Sequence, residues 1–427
     1  MSAPTVKNTL TTRETLRLCT AGSVDDGKST FVGRLLHDTK SVLADTLASV
    51  EATSADRGFD GLDLSLLVDG LRAEREQGIT IDVAYRYFAT GERTFILADT
   101  PGHVQYTRNT VTGISTSQVV VLLVDARHGV VEQTRRHLNV AALLGVRTVI
   151  LAVNKIDLVD WSEDVFRGIA AEFTRLASEV GVDDPQVVPI SALLGDNVVA
   201  PSENLPWYTG PTVLELLESV EVQRGRAHEL DFRLPVQHVI REHTTDYRGY
   251  AGRIDAGHVR LGDTVHLPHG RSTEVTGIDT ADGSVEEAVA GDSVVLLLAD
   301  DIDLARGDLI AGADRPADVR TFPATIVGLT EKQLVEGAAV KVRYGTALVR
   351  GRIADIERVL DIDGNADVEK PGAVNLNDLA HVRIETAAEL PVEPYAARGA
   401  VGNLLLIDQA SGNTLAAGFV GHRLREE

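Results

Sequence analysis

AGSVDDGKST, residues 21–30, decides the fold. Gly22, Gly27, Lys28 and Ser29 fit the spacing G-x-x-x-x-G-K-[ST]; the apolar run LRLCTA precedes them and the helical stretch STFVGRLLHD follows. A strand, a glycine-rich turn and a helix N-terminus in that order form a phosphate loop, whose backbone N–H groups surround phosphate oxygens. Ser23, Val24, Asp25, Asp26 and Thr30 complete the loop, and the lysine adds a full positive charge. The Ser29 hydroxyl is of the type that ligates Mg2+ in such loops. Two carboxylates in a phosphate cradle look contradictory; the loop tolerates them if the side chains of Asp25 and Asp26 point away from the phosphates.

Outward from this loop the chain repeats one rhythm. TFILADT, VVVLLVDA, TVILAVNK and QVVPISA are apolar, strand-like runs separated by amphipathic helical stretches, which predicts a parallel sheet with crossover helices. Each run ends in a chemically loaded turn. Asp99-Thr100-Pro101-Gly102 places a carboxylate where it can hold a Mg2+ shell and a glycine N–H near a γ-phosphate. Asn154-Lys155-Ile156-Asp157 has the spacing of a guanine reader: the carboxylate accepts from the base and the lysine stem covers the ring. Adenine has the wrong donor pattern and would leave Asp157 unpaired. Ser191-Ala192-Leu193 can add the Ala192 N–H to the guanine oxygen. The four elements in this order specify a GTPase domain with GTP and Mg2+ as ligands. Thr80, in EREQGITID, is expected to reach Mg2+ and the γ-phosphate only with GTP bound, so that Lys28, Thr80 and His103 form the catalytic set and Ser29, Thr80 and Asp99 the metal set. His103 stands where it can orient the attacking water.

Past residue 225 the pattern becomes short and β-rich, with Gly-Asp turns at 262–263, 291–292 and 307–308. The expected architecture is an α/β P-loop GTPase domain, a mostly parallel sheet with helices on both faces, followed by two β-barrel domains. The expected boundaries are 1–14 for a flexible N-terminus, 15–225 for the GTP-binding domain, and 226–316 and 317–427 for the barrels, with AGADRPADVRTFPA, residues 311–324, as the linker between the barrels.

Composition limits the alternatives. The chain has 427 residues, 44% of them hydrophobic and 24% charged, with a formal net charge of −22, which weighs against phosphate-backbone binding and so against a nucleic-acid partner. No apolar run approaches the roughly 20 residues of a membrane span, and the first dozen residues lack a signal-peptide layout, so a cytoplasmic protein without a membrane partner is expected. The single cysteine, Cys19, is expected to pack in a buried strand.

With these motifs in place, the sequence resembles the elongation factor Tu class of translational GTPases: GITI, the Asp-Thr-Pro-Gly-His run and the β-rich region after the GTPase signatures carry the likeness. It resembles more closely the family of GTPase large subunits of bacterial sulfate adenylyltransferase, on GSVDDGKSTFVGRLLHDT, REQGITIDVAYRYF, HVQYTRNTVTGIST, DARHGVVEQTRRH and DYRGYAGRIDAG. Asp26 and Gln105 match that family where translation factors usually have His and Asp. Val104, Thr110 and Gln77 depart from its expected Glu, Met and Arg, which bears on partner contact. The resemblance implies an enzyme subunit whose GTP hydrolysis drives ATP and sulfate to adenosine 5'-phosphosulfate and diphosphate on a separate, smaller catalytic subunit. A translational GTPase delivering aminoacyl-tRNA and a GTP-dependent scaffold that never hydrolyses GTP stay open as alternatives.

Overall fold

The structure, a computed structural model, describes residues 14–42, 44–56, 62–68, 83–103, 107–182, 184–221, 226–241, 247–361, 367–396 and 401–422. Thr80, Gln77, Val104, Gln105 and residues 1–13 lie outside the described residues. The chain forms two compact units, residues 1–142 with 146–222, and residues 143–145 with 223–427.

The first unit is built on β1 (Thr15–Gly22), β2 (Ala84–Ala89), β3 (Thr94–Asp99), β4 (Val119–Asp125), β5 (Thr148–Asn154) and β6 (Gln186–Pro189). They pair in the order β2-β3-β1-β4-β5-β6, parallel except for the antiparallel edge pair β2–β3. All seven residues of β4, VVVLLVD, are buried. A strand covered on both faces reads as a continuous apolar run rather than an alternation, which is why the sequence shows one. Cys19, in β1, is fully buried. The core joins Leu16 and Leu18 of β1 to Val121 and Leu123 of β4 and to Phe31, Val32 and Leu35 of helix α1 (Lys28–Asp38).

The strand register brings the motifs to one edge. Thr20 of β1 lies beside Asp99 of β3, and Asp125 of β4 lies beside Asn154 of β5. In open α/β sheets ligands bind outside the carboxyl ends of the strands, where these residues stand.

The second unit is antiparallel β structure with two cores. One gathers Phe232, Tyr250, Val275 and Leu296, and the other Ile326, Val342, Val382 and Leu406. The second sheet closes on itself, because Ala339–Tyr344 pairs with both Ala347–Leu360 and Asn403–Asp408. Residues 311–324 do not form a linker throughout: Leu309–Ala311 ends one strand and Asp318–Gly328 is another. Pro323 lies within the second of these strands. It pairs with Arg383 on one side, and the register with the second neighbour begins just after it at Ala324 opposite Val420; there its carbonyl still accepts from Gly421 N at 2.9 Å while its missing N–H falls at the end of the ladder. No helix among the described residues is long and apolar enough to cross a membrane.

Candidate functional site

Helix α1 starts without a cap. Gly27 occupies its N-cap at φ 89°, a left-handed backbone that suits glycine, no side chain bonds the first turn, and no acidic residue sits there. A Cβ on Gly27 would also lie 2.4 Å from Asn154 Nδ2. The N–H groups of Lys28, Ser29 and Thr30 thus open the helix with its partial positive charge and no side-chain acceptor of the chain's own, a ready anion cradle.

Lys28 is buried, and its Nζ donates to the carbonyls of Gly22 at 3.1 Å and Ser23 at 2.7 Å, so it closes the loop on itself. Burial pushes its pKa down, and the nearby Asp99, Asp26 and Asp25 act against that shift. Asp26 does not point away from the loop as the sequence suggested. Its carboxylate turns inward, is buried, and accepts from Ser23 N at 2.5 Å. Desolvation raises its pKa, opposed by the Ser23 N–H and by Lys28. The reason is local geometry: Asp25, at φ 65°, turns the chain so that the next side chain falls inside, while Asp25 itself and Val24 are exposed.

At the end of β3, Asp99 is fully buried and its Oδ1 accepts from Thr20 Oγ1 at 2.9 Å. Thr100 donates to Thr20 O at 2.6 Å and Thr110 to Pro101 O at 3.3 Å, so hydroxyls fix both sides of this turn. Gly102 follows, with its Cα against the phosphate loop. A Cβ there would stand 2.4 Å from Lys28 Nζ and 2.9 Å from the Ser23 carbonyl. The lysine tip can swing aside but the carbonyl cannot, so Gly102→Ala should lower stability by about 1–3 kcal/mol in a urea titration, the usual cost of overpacking. An unchanged unfolding midpoint would show that the two turns separate freely. His103 is half-buried beyond Gly102.

Asn154 ties three loops together. Its Nδ2 donates to Asp26 O at 2.7 Å, and its Oδ1 accepts from Ala192 N at 2.9 Å. The Ala192 N–H, expected from sequence to face a base, is therefore partnered by Asn154 here. Lys155, at φ 60°, donates to Asp25 O and, at 3.0 Å, to Asp125 Oδ2. Ile156 is fully buried and anchors the turn beneath these groups. Asp157 keeps one buried carboxylate oxygen, Oδ1, with no hydrogen-bond partner. A buried carboxylate oxygen without a donor is costly, and it marks where a donor-bearing ligand fits. Ser191 is buried, its hydroxyl accepts from Leu194 N at 3.2 Å, and Leu193 is exposed.

Three positions beside these groups escaped the sequence reading. Thr20 orients Asp99. Asp125 binds Lys155. His137 is fully buried, bonded to Gln133 Nε2 at 3.0 Å, and near enough to Lys28 to feel its charge. Asp125 carried a usable signal, since it ends the apolar run VVVLLVD as Asp99 ends TFILAD.

The model of the elongation factor Tu GTP binding domain matches residues 13–223, and that of the GTP-eEF1A C-terminal domain-like family matches residues 321–421. The chain is 44% identical to sulfate adenylyltransferase subunit 1 of Cellvibrio japonicus, covering 97% of this chain and 88% of that protein. It is 47% identical to the protein of the same name from Cronobacter sakazakii, covering 95% and 86%. It is 50% identical to the bifunctional enzyme CysN/CysC of Mycobacterium tuberculosis over 95% of this chain and 67% of that one.

Proposed function

The chain belongs to the sulfate adenylyltransferase subunit 1 family, within the elongation factor Tu-like GTPases, and on that premise we propose that it is the GTP-hydrolysing subunit of an ATP sulfurylase. GTP hydrolysis on this chain is coupled to the reaction of ATP with sulfate, giving adenosine 5'-phosphosulfate and diphosphate on a separate, smaller catalytic subunit. One observation carries the nucleotide reading: the unpartnered, buried Asp157 Oδ1 shares a turn with Asn154, which holds the phosphate loop through Asp26 O. In this reading base and phosphate recognition are joined by a direct hydrogen bond.

In this reading the first-turn amides of α1 and Lys28 hold the β- and γ-phosphates and stabilise the charge that develops during transfer. Asp157 accepts from guanine and the Lys155 stem covers the ring. His103 orients the attacking water, and Thr80 senses the γ-phosphate. The Ser29 hydroxyl and the Asp99 carboxylate are hard oxygen donors that suit Mg2+, which takes few protein ligands alongside phosphate and water. Thr80 completes that set. When bound, Mg2+ neutralises charge on the β- and γ-oxygens. The domain limits 15–225, 226–316 and 317–427 belong to the same proposal, as does a cytoplasmic setting.

The test is coupling. With the catalytic subunit co-purified, sulfate plus ATP should accelerate GTP hydrolysis, and GTP should raise the yield of adenosine 5'-phosphosulfate. Reciprocity binds only the equilibrium affinities, so the rate effect and the yield effect are measured separately. A GTPase rate indifferent to sulfate and ATP in that complex sinks the proposal.

A further inference from the structure

We infer that Asp125 is a positioning residue for guanine-nucleotide binding: its carboxylate holds Lys155 in the pose that links the base-reading turn to the phosphate loop. The inference rests on the GTPase reading above and adds a residue that the motifs do not contain. Asp125 closes β4, in register with Asn154 of β5, and its side chain is 3% exposed. Its Oδ2 accepts from Lys155 Nζ at 3.0 Å. Arg127 supplies the remaining donors: its backbone N reaches Oδ1 at 2.9 Å, its Nε reaches Oδ1 at 3.0 Å, and its Nη2 reaches Oδ2 at 2.6 Å. The same Lys155 Nζ donates to the carbonyl of Asp25.

Lys155 is a long side chain on a left-handed backbone. Held by the Asp25 carbonyl alone, its ammonium would sample more rotamers, and each binding event would have to restore the order. Asp125 fixes that order beforehand. Burial pushes the Asp125 carboxyl up, but the Arg127 and Lys155 donors outweigh burial and hold it well below the usual carboxylate range, so the anion persists at every working pH. Arg127 feels the charge of Asp157 only weakly, as the smallest influence on it.

Asp125→Asn keeps the shape and removes the charge. In the full chain, titration with mant-GDP should show about tenfold weaker binding, the loss expected when a charged hydrogen bond is removed. Competition with GDP, GTP and inosine 5'-diphosphate should give the same factor for each, because a displaced lysine stem does not read the exocyclic amine. In a Lys155→Met background, Asp125→Asn should cost nothing further, since the partner is already gone. Should Asp125→Asn fail to fold, Asp125→Glu keeps a charge for Arg127 but displaces the carboxylate by a methylene, and it carries the same cycle. Binding within twofold of the parent overturns the inference. So does a loss that persists undiminished in the Lys155→Met background, which would mark Asp125 as structural. A parent chain that binds no guanine nucleotide overturns the GTPase reading instead.

Discussion

Lys28→Ala is expected to abolish GTP-stimulated sulfate activation while leaving the slow chemistry of the catalytic subunit in place. The buried ammonium does two jobs that alanine cannot do. It satisfies the carbonyls of Gly22 and Ser23, and it is the fixed cation against three acidic groups, Asp25, Asp26 and Asp99, whose charges all act on it. Without it, phosphate would enter a loop whose nearest fixed charges are negative. Charged hydrogen bonds contribute about 1.5–3 kcal/mol each, so a loss on the order of 100-fold in nucleotide affinity follows. Titration with mant-GTP reads the affinity, and adenosine 5'-phosphosulfate formation in the complex reads the coupling. A variant that supports the coupled reaction normally removes Lys28 from the mechanism and the GTPase coupling with it.

The second large effect is acid lability of the first unit. Burial, reinforced by the charges of Lys28 and Arg136, pushes the His137 pKa down to about 3 from an ordinary 6.5. The folded chain keeps this imidazole neutral where the unfolded chain protonates it. Stability from this group is therefore fully present above pH 6.5 and is lost as pH falls toward 3, at about 1.4 kcal/mol per unit and roughly 5 kcal/mol in all. Carboxylates also titrate in that range. In the second unit, burial raises Asp255 to about 6, eased by Arg253 and worsened by Glu393, and this works in the opposite sense: its contribution is lost as pH rises through 6. His137→Leu isolates the histidine, because it removes the titrating ring and the ring nitrogen Nδ1, which has no hydrogen-bond partner. Urea unfolding of the parent and the variant between pH 4 and 7 should show the parent losing stability relative to the variant as pH falls. Parallel pH curves would mean that His137 accepts its proton in the folded state.

Much of this site was legible because its grammar is local. The spacing of Gly22, Gly27 and Lys28 on a strand, turn and helix is a covalent fact, and so are the carboxylate and amide residues that end β3 and β5. Apolar runs without alternation gave the parallel sheet. Where reading failed, the deciding neighbour lay far along the chain or in the backbone angles. Asp26 turns inward because of the left-handed Asp25 before it. Asp318–Gly328 is a strand although it contains Pro323, because the proline lies just before the register with the second neighbour begins at Ala324.

The sequence by itself determined the class of fold and the strand-end placement of residues 22–29 and 154–157, since these depend on residue types at fixed spacing and on periodicity. Only the tertiary structure decided that Asp125 meets Lys155 across β4 and β5, that Asn154 bonds both Asp26 and Ala192, and that His137 is sealed near Lys28. Each of these pairings joins residues brought together by sheet register and helix packing, and no spacing rule along the chain encodes which side chains then share a buried oxygen or a charge.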